Sequence, residues 1–407
     1  LSNFSFDWAN ENNWSALPET PVTLVMTIPP LLKNPETEAE RLHLWGKWMS
    51  HNRPELKSMI YISTTGVYPK RNLTIVRGKG ARVWDDNGQE YIDCISGHGV
   101  ANLGHCHPSV VAAVEKQARQ LITCPEIFHN DQRARLLDHL TTLTPEGMCR
   151  AFLCNSGTEA VEAALKFARI STGRTELIST LRSFHGRTMG SLTLTGQKKH
   201  RMPFEPLLPQ VTHIPFNNIE ALQKAISERT AAVILEVVQG EGGVRLADAD
   251  YLNTAQHLCH QNGALLIIDE VQTGLGRTGK MFAYEHYDLE PDILCLAKSL
   301  AGGLPMGATL LGTRVSELPS GVHGSTFGGN PMVCAASVAV LEVLETEKLP
   351  QRAAEMGEYI LTQLRAANSP IVREVRGLGL MIGVELRQKV TPLLRELQRR
   401  RVLAIPA

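Results

Sequence analysis

Between residues 150 and 311 the chain repeats one pattern, a short apolar run followed by a segment with helical spacing. Ala264-Leu265-Leu266-Ile267-Ile268 is the extreme case. A run without a polar residue at every second position has no face to give to water. It therefore reads as a strand covered on both sides. Arg150 to Cys154, Ala231 to Leu235, Ile293 to Ala297 and Ala308 to Leu311 repeat the theme. Between them Val161, Ala164, Leu165 and Ala168 follow helical spacing, and Tyr251 to His260 reads as a helix stopped by Asn262-Gly263. The alternation predicts an α/β fold with a mostly parallel sheet flanked by helices.

The flanks differ. Leu341 to Ala366 reads as mostly helical, Arg373 to Leu386 as a hairpin through Gly377 and Gly379, and Thr391 to Arg401 as helix. That α+β pattern predicts a second, smaller domain beginning near Leu318. Leu73 to Asp93 is β-like, with a turn at Asp85-Asp86-Asn87-Gly88, and is expected to join it. Thr37 to Met49 has helical character. Residues 1–25 carry no clear period, and Met26 reads as the natural start. The other end stops in the apolar run Val402-Leu403-Ala404-Ile405-Pro406-Ala407, which reads as a cut.

Composition excludes some roles. Lys plus Arg number 41 and Asp plus Glu 41, so the zero net charge argues against a nucleic-acid-binding protein. No apolar stretch approaches the ~20 residues of a membrane helix, and Leu1-Ser2-Asn3-Phe4 opens no signal peptide. The eight cysteines contain no Cys-x-x-Cys pair and read as thiols of a reducing cytoplasm.

Ligands of open parallel sheets gather at the carboxyl ends of the strands. Glu236, Asp269 and Lys298 fall there. Lys298, close to Gly302-Gly303, is either a surface lysine or an amine whose pKa burial lowers until it can form a Schiff base. Asp269 is either a turn residue or the partner of a protonated ring nitrogen. In Asn155-Ser156-Gly157-Thr158-Glu159, Ser156 and Glu159 form a capping box. The same helix start, with free N–H groups, a glycine and a hydroxyl, suits a phosphate. In Phe184-His185-Gly186-Arg187-Thr188, Phe184 suits a planar ring and Arg187 a carboxylate, unless they are simply core and surface residues. Two stretches are discounted. Gly274-Leu275-Gly276-Arg277-Thr278-Gly279 fits a dinucleotide motif literally, but it does not open a helix directly after a strand. Met281 replaces the hydroxyl that a nucleotide-phosphate loop needs after Lys280. His105-Cys106-His107 suits no common zinc spacing and reads as a turn before Pro108.

Together these segments resemble the class III, ornithine-type, aminotransferases of pyridoxal-phosphate fold type I. The resemblance rests on Gly104 to Pro108, Asn155 to Ala160, Phe184 to Thr188, Gln239 to Gly243, Asp269 to Gly274, Ala297-Lys298 and His323 to Pro331, in register from about residue 66 onward. Within the class the chain is most similar to the acetylornithine branch, which includes enzymes acting on lysine or ornithine linked to a small acidic carrier protein (the LysW type). Gly66 to Lys70, Gly99 to Gly104 and Arg187 to Leu192 resemble the carrier-protein subgroup.

The resemblance implies a PLP-dependent aminotransferase of arginine or lysine biosynthesis, cytoplasmic and homodimeric. Its reaction would pass the terminal amine of an N-blocked ornithine or lysine to 2-oxoglutarate. Lys298 would hold the cofactor and shuttle a proton, Asp269 would keep the ring nitrogen protonated, and Gln272 would contact the ring hydroxyl. Phe184 and Val271 would sandwich the ring. Ser156, Gly157 and Thr158 would hold the phosphate, and Thr326 would reach the phosphate of a neighbouring subunit. Arg187 would clamp a substrate carboxylate. Glu236 would pair with a second arginine that lies, in the family, beyond Ala407, so the chain is expected to be a fragment. Lys198, Lys199, His200 and Arg201 are candidates for docking an acidic carrier, or a solvated loop. The implied division is an extension over 1–60, the small domain over 61–105 and 319–407, and the large cofactor-binding domain over 106–318. Another class III reaction (ornithine or GABA aminotransferase, aminomutase, decarboxylase) or a cofactor-binding remnant are the alternatives.

Overall fold

The computed structural model describes residues Leu73–Pro406. The expected helix between Thr37 and Met49 and the Gly66 to Lys70 motif lie outside the described residues. Three antiparallel strands come first, β1 (Ile75–Lys79), β2 (Arg82–Asp85) and β3 (Glu90–Asp93). The expected turn joins the last two. Asp85 Oδ1 accepts from the N–H groups of Asn87 (3.0 Å) and Gln89 (2.8 Å), the local bond that makes aspartate a turn former.

The main sheet follows. Its first strands are β4 (Arg150–Cys154), β5 (Glu176–Thr180), β6 (Val211–Ile214) and β7 (Thr230–Leu235). A two-residue ladder, β8 (Val238–Gln239) with β9 (Arg245–Leu246), interrupts it. Then come β10 (Leu265–Asp269), β11 (Ile293–Leu296) and β12 (Gly307–Leu311). The seven long strands lie in the order β4-β12-β11-β10-β7-β5-β6. Only β12 runs against its neighbours, so the sheet is mixed but mostly parallel.

The apolar runs are buried for the reason the sequence suggested. Leu266, Ile268, Val233 and Leu235 pack into one core, while Leu265, Ile267, Ala232 and Ile234 pack into the other. Each such Leu or Ile contributes roughly 1.5–3 kcal/mol by leaving water. The helix Gly157–Thr172 covers the second face with Ala160, Val161, Ala164, Phe167 and Ala168. The helices Ala249–Asn262 and Pro331–Thr346 cover the first. The Ala249–Asn262 helix stops at Gly263, which takes the left-handed conformation (φ 64°) and returns its N–H to the Cys259 and His260 carbonyls.

The C-terminal part forms the hairpin β13 (Val372–Leu378) and β14 (Met381–Leu386), turning through Gly379. The helix expected to reach Arg401 ends at Arg399 instead. Arg401 turns left-handed (φ 64°), and its carbonyl accepts from Ile92 N–H at 2.8 Å. That lets β15 (Val402–Leu403) add to β3 in parallel. Pairing with a strand edge distant in sequence outweighs the helical period here. Among the described residues no helix is long and apolar enough to cross a membrane.

Candidate active site

β4, β5, β7, β10 and β11 point the same way, so their carboxyl ends meet at one edge. Asp269 ends β10 and is buried. Its Oδ2 lies 2.7 Å from His185 Nδ1, and its Oδ1 accepts from Val271 N–H at 3.0 Å. Both carboxylate oxygens are thus held, and the group cannot swing. His185 is itself buried, and its Nε2 has no partner among the described residues. Burial alone would lower the histidine's pKa. The hydrogen bond and charge of Asp269, with the charge of Glu236, outweigh it and raise the pKa.

Lys298 follows β11 in a left-handed conformation (φ 44°) that costs a residue with a Cβ about 1–3 kcal/mol. The next residue, Ser299, receives Asn102 Nδ2 at 3.0 Å, and the same amide donates to the Leu275 carbonyl at 2.8 Å. Desolvation lowers the Lys298 pKa, against the opposing charges of Glu241, Asp269 and Glu236. Glu236, just past β7, accepts from Phe184 N–H (3.0 Å) and Gly240 N–H (3.4 Å). Burial pushes its pKa up to about 7.

The Gly157–Thr172 helix enters the same edge. Ser156 caps it by accepting from Glu159 N–H at 3.3 Å, while Glu159 takes Asn155 N–H at 2.5 Å. The first-turn N–H groups of Gly157 and Thr158 have no intrahelical acceptor, as in any helix. A Cβ on Gly157 would sit 2.7 Å from Val271 Cγ1 and 3.4 Å from Ala297 Cβ. The helix start is therefore pressed against the residue before Lys298. The Gln272 amide lies directly against Gly240, so a Cβ there would have to displace the end of that side chain.

Phe184 is half-buried. Arg187 lies over one side of its ring at 5.4 Å, and the His200 ring meets it edge-on at 5.9 Å. Arg187 is exposed and makes no ion pair among the described residues. Lys198 and Lys199 are exposed on a short helix, Lys198–Arg201, where a loop was expected, and Arg201 is committed to His213 at 2.8 Å. Thr326 is exposed, next to Ser325, whose hydroxyl accepts from Asn155 Nδ2 at 3.0 Å.

The structure thus gathers Lys298, Asp269, Val271, Gln272, Glu236, Phe184, Ser156, Gly157 and Thr158 at one edge, and places Arg187 at its rim and Thr326 on an exposed loop. Sequence reasoning missed His185, which lay inside a quoted motif but carried no strand-end cue. It also missed Glu270, buried beside Asp269, which accepts from Thr273 Oγ1 (2.5 Å) and Tyr284 N–H (2.9 Å) and whose pKa burial raises to about 7. The discounted histidines have structural tasks. His105 pairs with Asp93 at 2.7 Å, and His107 caps the helix Pro108–Ala118 through Ser109 N–H.

A buried aspartate, a desolvated lysine and a helix start converging on one strand edge define a site for a phosphorylated, ring-nitrogen cofactor. Comparisons agree. The family model for class-III aminotransferases matches residues 65–406, and the chain belongs to that family. A [LysW]-aminoadipate semialdehyde transaminase from Deinococcus radiodurans is 50% identical over 337 residues, covering 82% of this chain and 79% of that protein. An acetylornithine aminotransferase from Methanopyrus kandleri is 48% identical, covering 82% of this chain and 85% of its own. An ornithine aminotransferase structure from Toxoplasma gondii superposes with a TM-score of 0.83 at 34% identity, over 92% of this chain and 91% of that one. The chain is a pyridoxal-phosphate-dependent aminotransferase of fold type I.

The residues present fit that cofactor. The Gly157 cradle admits no Cβ, Asp269 is held by two donors, and Lys298 has the lowered pKa a reactive amine requires.

Proposed function

We propose that this chain moves the terminal amine of an N-blocked ornithine or lysine to 2-oxoglutarate, in the making of arginine or lysine. The observation that carries the reading is the convergence of Lys298, the His185-held Asp269 and the Gly157 helix start on one strand edge. The names of the two relatives at 48–50% identity support the substrate class.

When bound, pyridoxal phosphate supplies an electron sink for charge developing at the carbon that loses its amine. Gly157 and Thr158 N–H groups, with the Ser156 cap beside them, would hold the phosphate at the positive end of the helix. Phe184 and Val271 would bracket the ring, and Gln272 would meet its hydroxyl. Asp269 would hold the proton on the ring nitrogen, and His185 and the Val271 N–H keep its carboxylate aimed. Lys298 would carry the cofactor on Nζ. Once substrate has released it, its amine, with a pKa lowered by burial, could take a proton and return it. Arg187, exposed and without an ion pair among the described residues, would bind a substrate carboxylate bidentately. Glu236 would be the substrate-side carboxylate whose pairing with a second arginine lets one pocket take both an amino acid and a dicarboxylate.

Thr326 would complete the site of a second copy, making the enzyme a homodimer with shared sites. The described part of the 61–105 segment, from Thr74 to His105, would form one small domain with the described residues of 319–407, supported by the pairing of β15 with β3. An acidic amino-group carrier protein would dock beside Lys198 and Lys199, next to the His200 edge on Phe184. The eight free thiols suit a cytoplasmic enzyme.

Glutamate added to the purified, cofactor-loaded chain should abolish the visible absorption of bound cofactor, and 2-oxoglutarate should restore it. Acetylornithine and a carrier-linked lysine should then compete as amine donors. A band indifferent to glutamate but attached to Lys298 by borohydride would refute transamination and favour another reaction on the same scaffold.

A further inference from the structure

The loop bearing Arg187 is gripped from one helix face. Thr158 and Glu162 stand four residues apart on the Gly157–Thr172 helix and so share that face. Thr158 Oγ1 accepts from the N–H groups of Arg187 (3.3 Å) and Thr188 (3.2 Å). Glu162 Oε1 accepts from Thr188 Oγ1 (2.6 Å), Gly190 N–H (2.9 Å) and Ser191 N–H (3.1 Å). Hydroxyl contacts of 2.8 Å (Thr158 to Thr188), 2.5 Å (Thr158 to Ser191) and 2.9 Å (Thr188 to Ser191) close the cluster.

Two glycines make the grip possible. A Cβ at Gly186 would fall onto Thr158 Oγ1 and 2.5 Å from Ser191 Oγ, and one at Gly190 would fall onto the Glu162 carboxylate. Arg187 therefore sits between two points where the backbone touches the helix with no room for a side chain. Thr188 stands at the N-cap of the helix Met189–Leu194 but makes no capping bond itself. Glu162 caps that helix from outside. Glu162 makes all three loop bonds through Oε1, and the Arg187 guanidinium has no ion pair among the described residues.

We propose that Glu162 is a positioning residue that sets how well Arg187 holds a substrate carboxylate, through the Thr188 hydroxyl and the Gly190 and Ser191 N–H groups. The inference rests on the reading of Arg187 as the carboxylate clamp. It makes the helix start that would hold the phosphate and the arginine that would hold the substrate one rigid unit.

The test uses the cofactor-loaded chain. Glu162→Ala, which removes the one oxygen that accepts all three bonds, should raise the KM for 2-oxoglutarate about tenfold, since small misplacements of a binding group are costly. Glu162→Gln, which keeps that acceptor, should recover most of it. The affinity for pyridoxal phosphate, read by absorption, should stay unchanged. Thr188→Val, which removes one donor and is the gentler change, should raise KM less, and Thr188→Ser should restore it. In the double variant with Arg187→Ala, Glu162→Ala should add nothing further. If Arg187→Ala raises KM and neither Glu162→Ala nor Thr188→Val does, the positioning role is overturned while the clamp stands. If Glu162→Ala loosens the cofactor as much as the substrate, the role is likewise overturned, because the residue then serves the helix. If Arg187→Ala itself leaves KM unchanged, the clamp reading fails, and this inference with it.

Discussion

Replacing Glu236 by Gln should make the protein more stable in mild alkali and not in acid. The folded chain holds this carboxyl at about 7 rather than the ordinary 4.5, because burial penalises its charge. Ionising it inside the fold therefore costs roughly 3 kcal/mol more than in the unfolded chain. Because its folded pKa is raised, its contribution to stability is complete below about 4.5 and is lost as pH climbs through about 7. A glutamine has no such dependence. It also gives up one accepted bond, since its single carbonyl can serve Phe184 N–H or Gly240 N–H but not both. The longer of these, 3.4 Å to Gly240, is the one to be lost, at about 1 kcal/mol. Without the Glu236 charge, His185 also loses one of the groups that raise its pKa. The variant should thus be about 1 kcal/mol less stable than the parent near pH 4.5 and about 1–2 kcal/mol more stable near pH 8. Denaturant unfolding of the cofactor-free chain at several pH values measures this. Glu270, also raised to about 7, is present in both proteins and cancels. Parallel stability curves for parent and variant would refute the reasoning, because the charge of Glu236 would then cost the fold nothing.

Three further outcomes are expected. His185→Phe removes the donor at 2.7 Å from a buried carboxylate and should lower stability by about 3–5 kcal/mol, with His185→Gln recovering part of it in thermal unfolding. Gly190→Ala puts a methyl group against Glu162 and should cost about 1–3 kcal/mol, with hydrogen exchange rising in Met189–Leu194. Lys298→Arg should keep the positive charge yet abolish borohydride-stable attachment of the cofactor, seen by peptide mass analysis, and transamination with it.

Much of this molecule is legible one residue at a time. The Ala264 to Ile268 run had to be buried on both faces, because it offers water no polar edge, and β10 splits its side chains between the two cores. The Asn262-Gly263 stop is equally local, since glycine takes the left-handed turn at little cost. Asp269, Lys298 and Glu236 stood out because strand ends are where a parallel sheet exposes polar groups. Where a distant strand edge competed, local period failed, as at Arg401, whose carbonyl serves Ile92 instead of a helix.

The sequence by itself determined the layers, the covered strands and the side chains able to do chemistry, because burial and backbone propensity act over a few neighbouring residues. Only the tertiary structure decided who holds whom. His185 meets Asp269 across 84 positions, Phe184 N–H meets Glu236 across 52, and Glu162 reaches Gly190 across 28. Hydrogen bonds and pKa shifts depend on distances of a few ångströms, and those are set by how strands order themselves in the sheet, which no local pattern encodes.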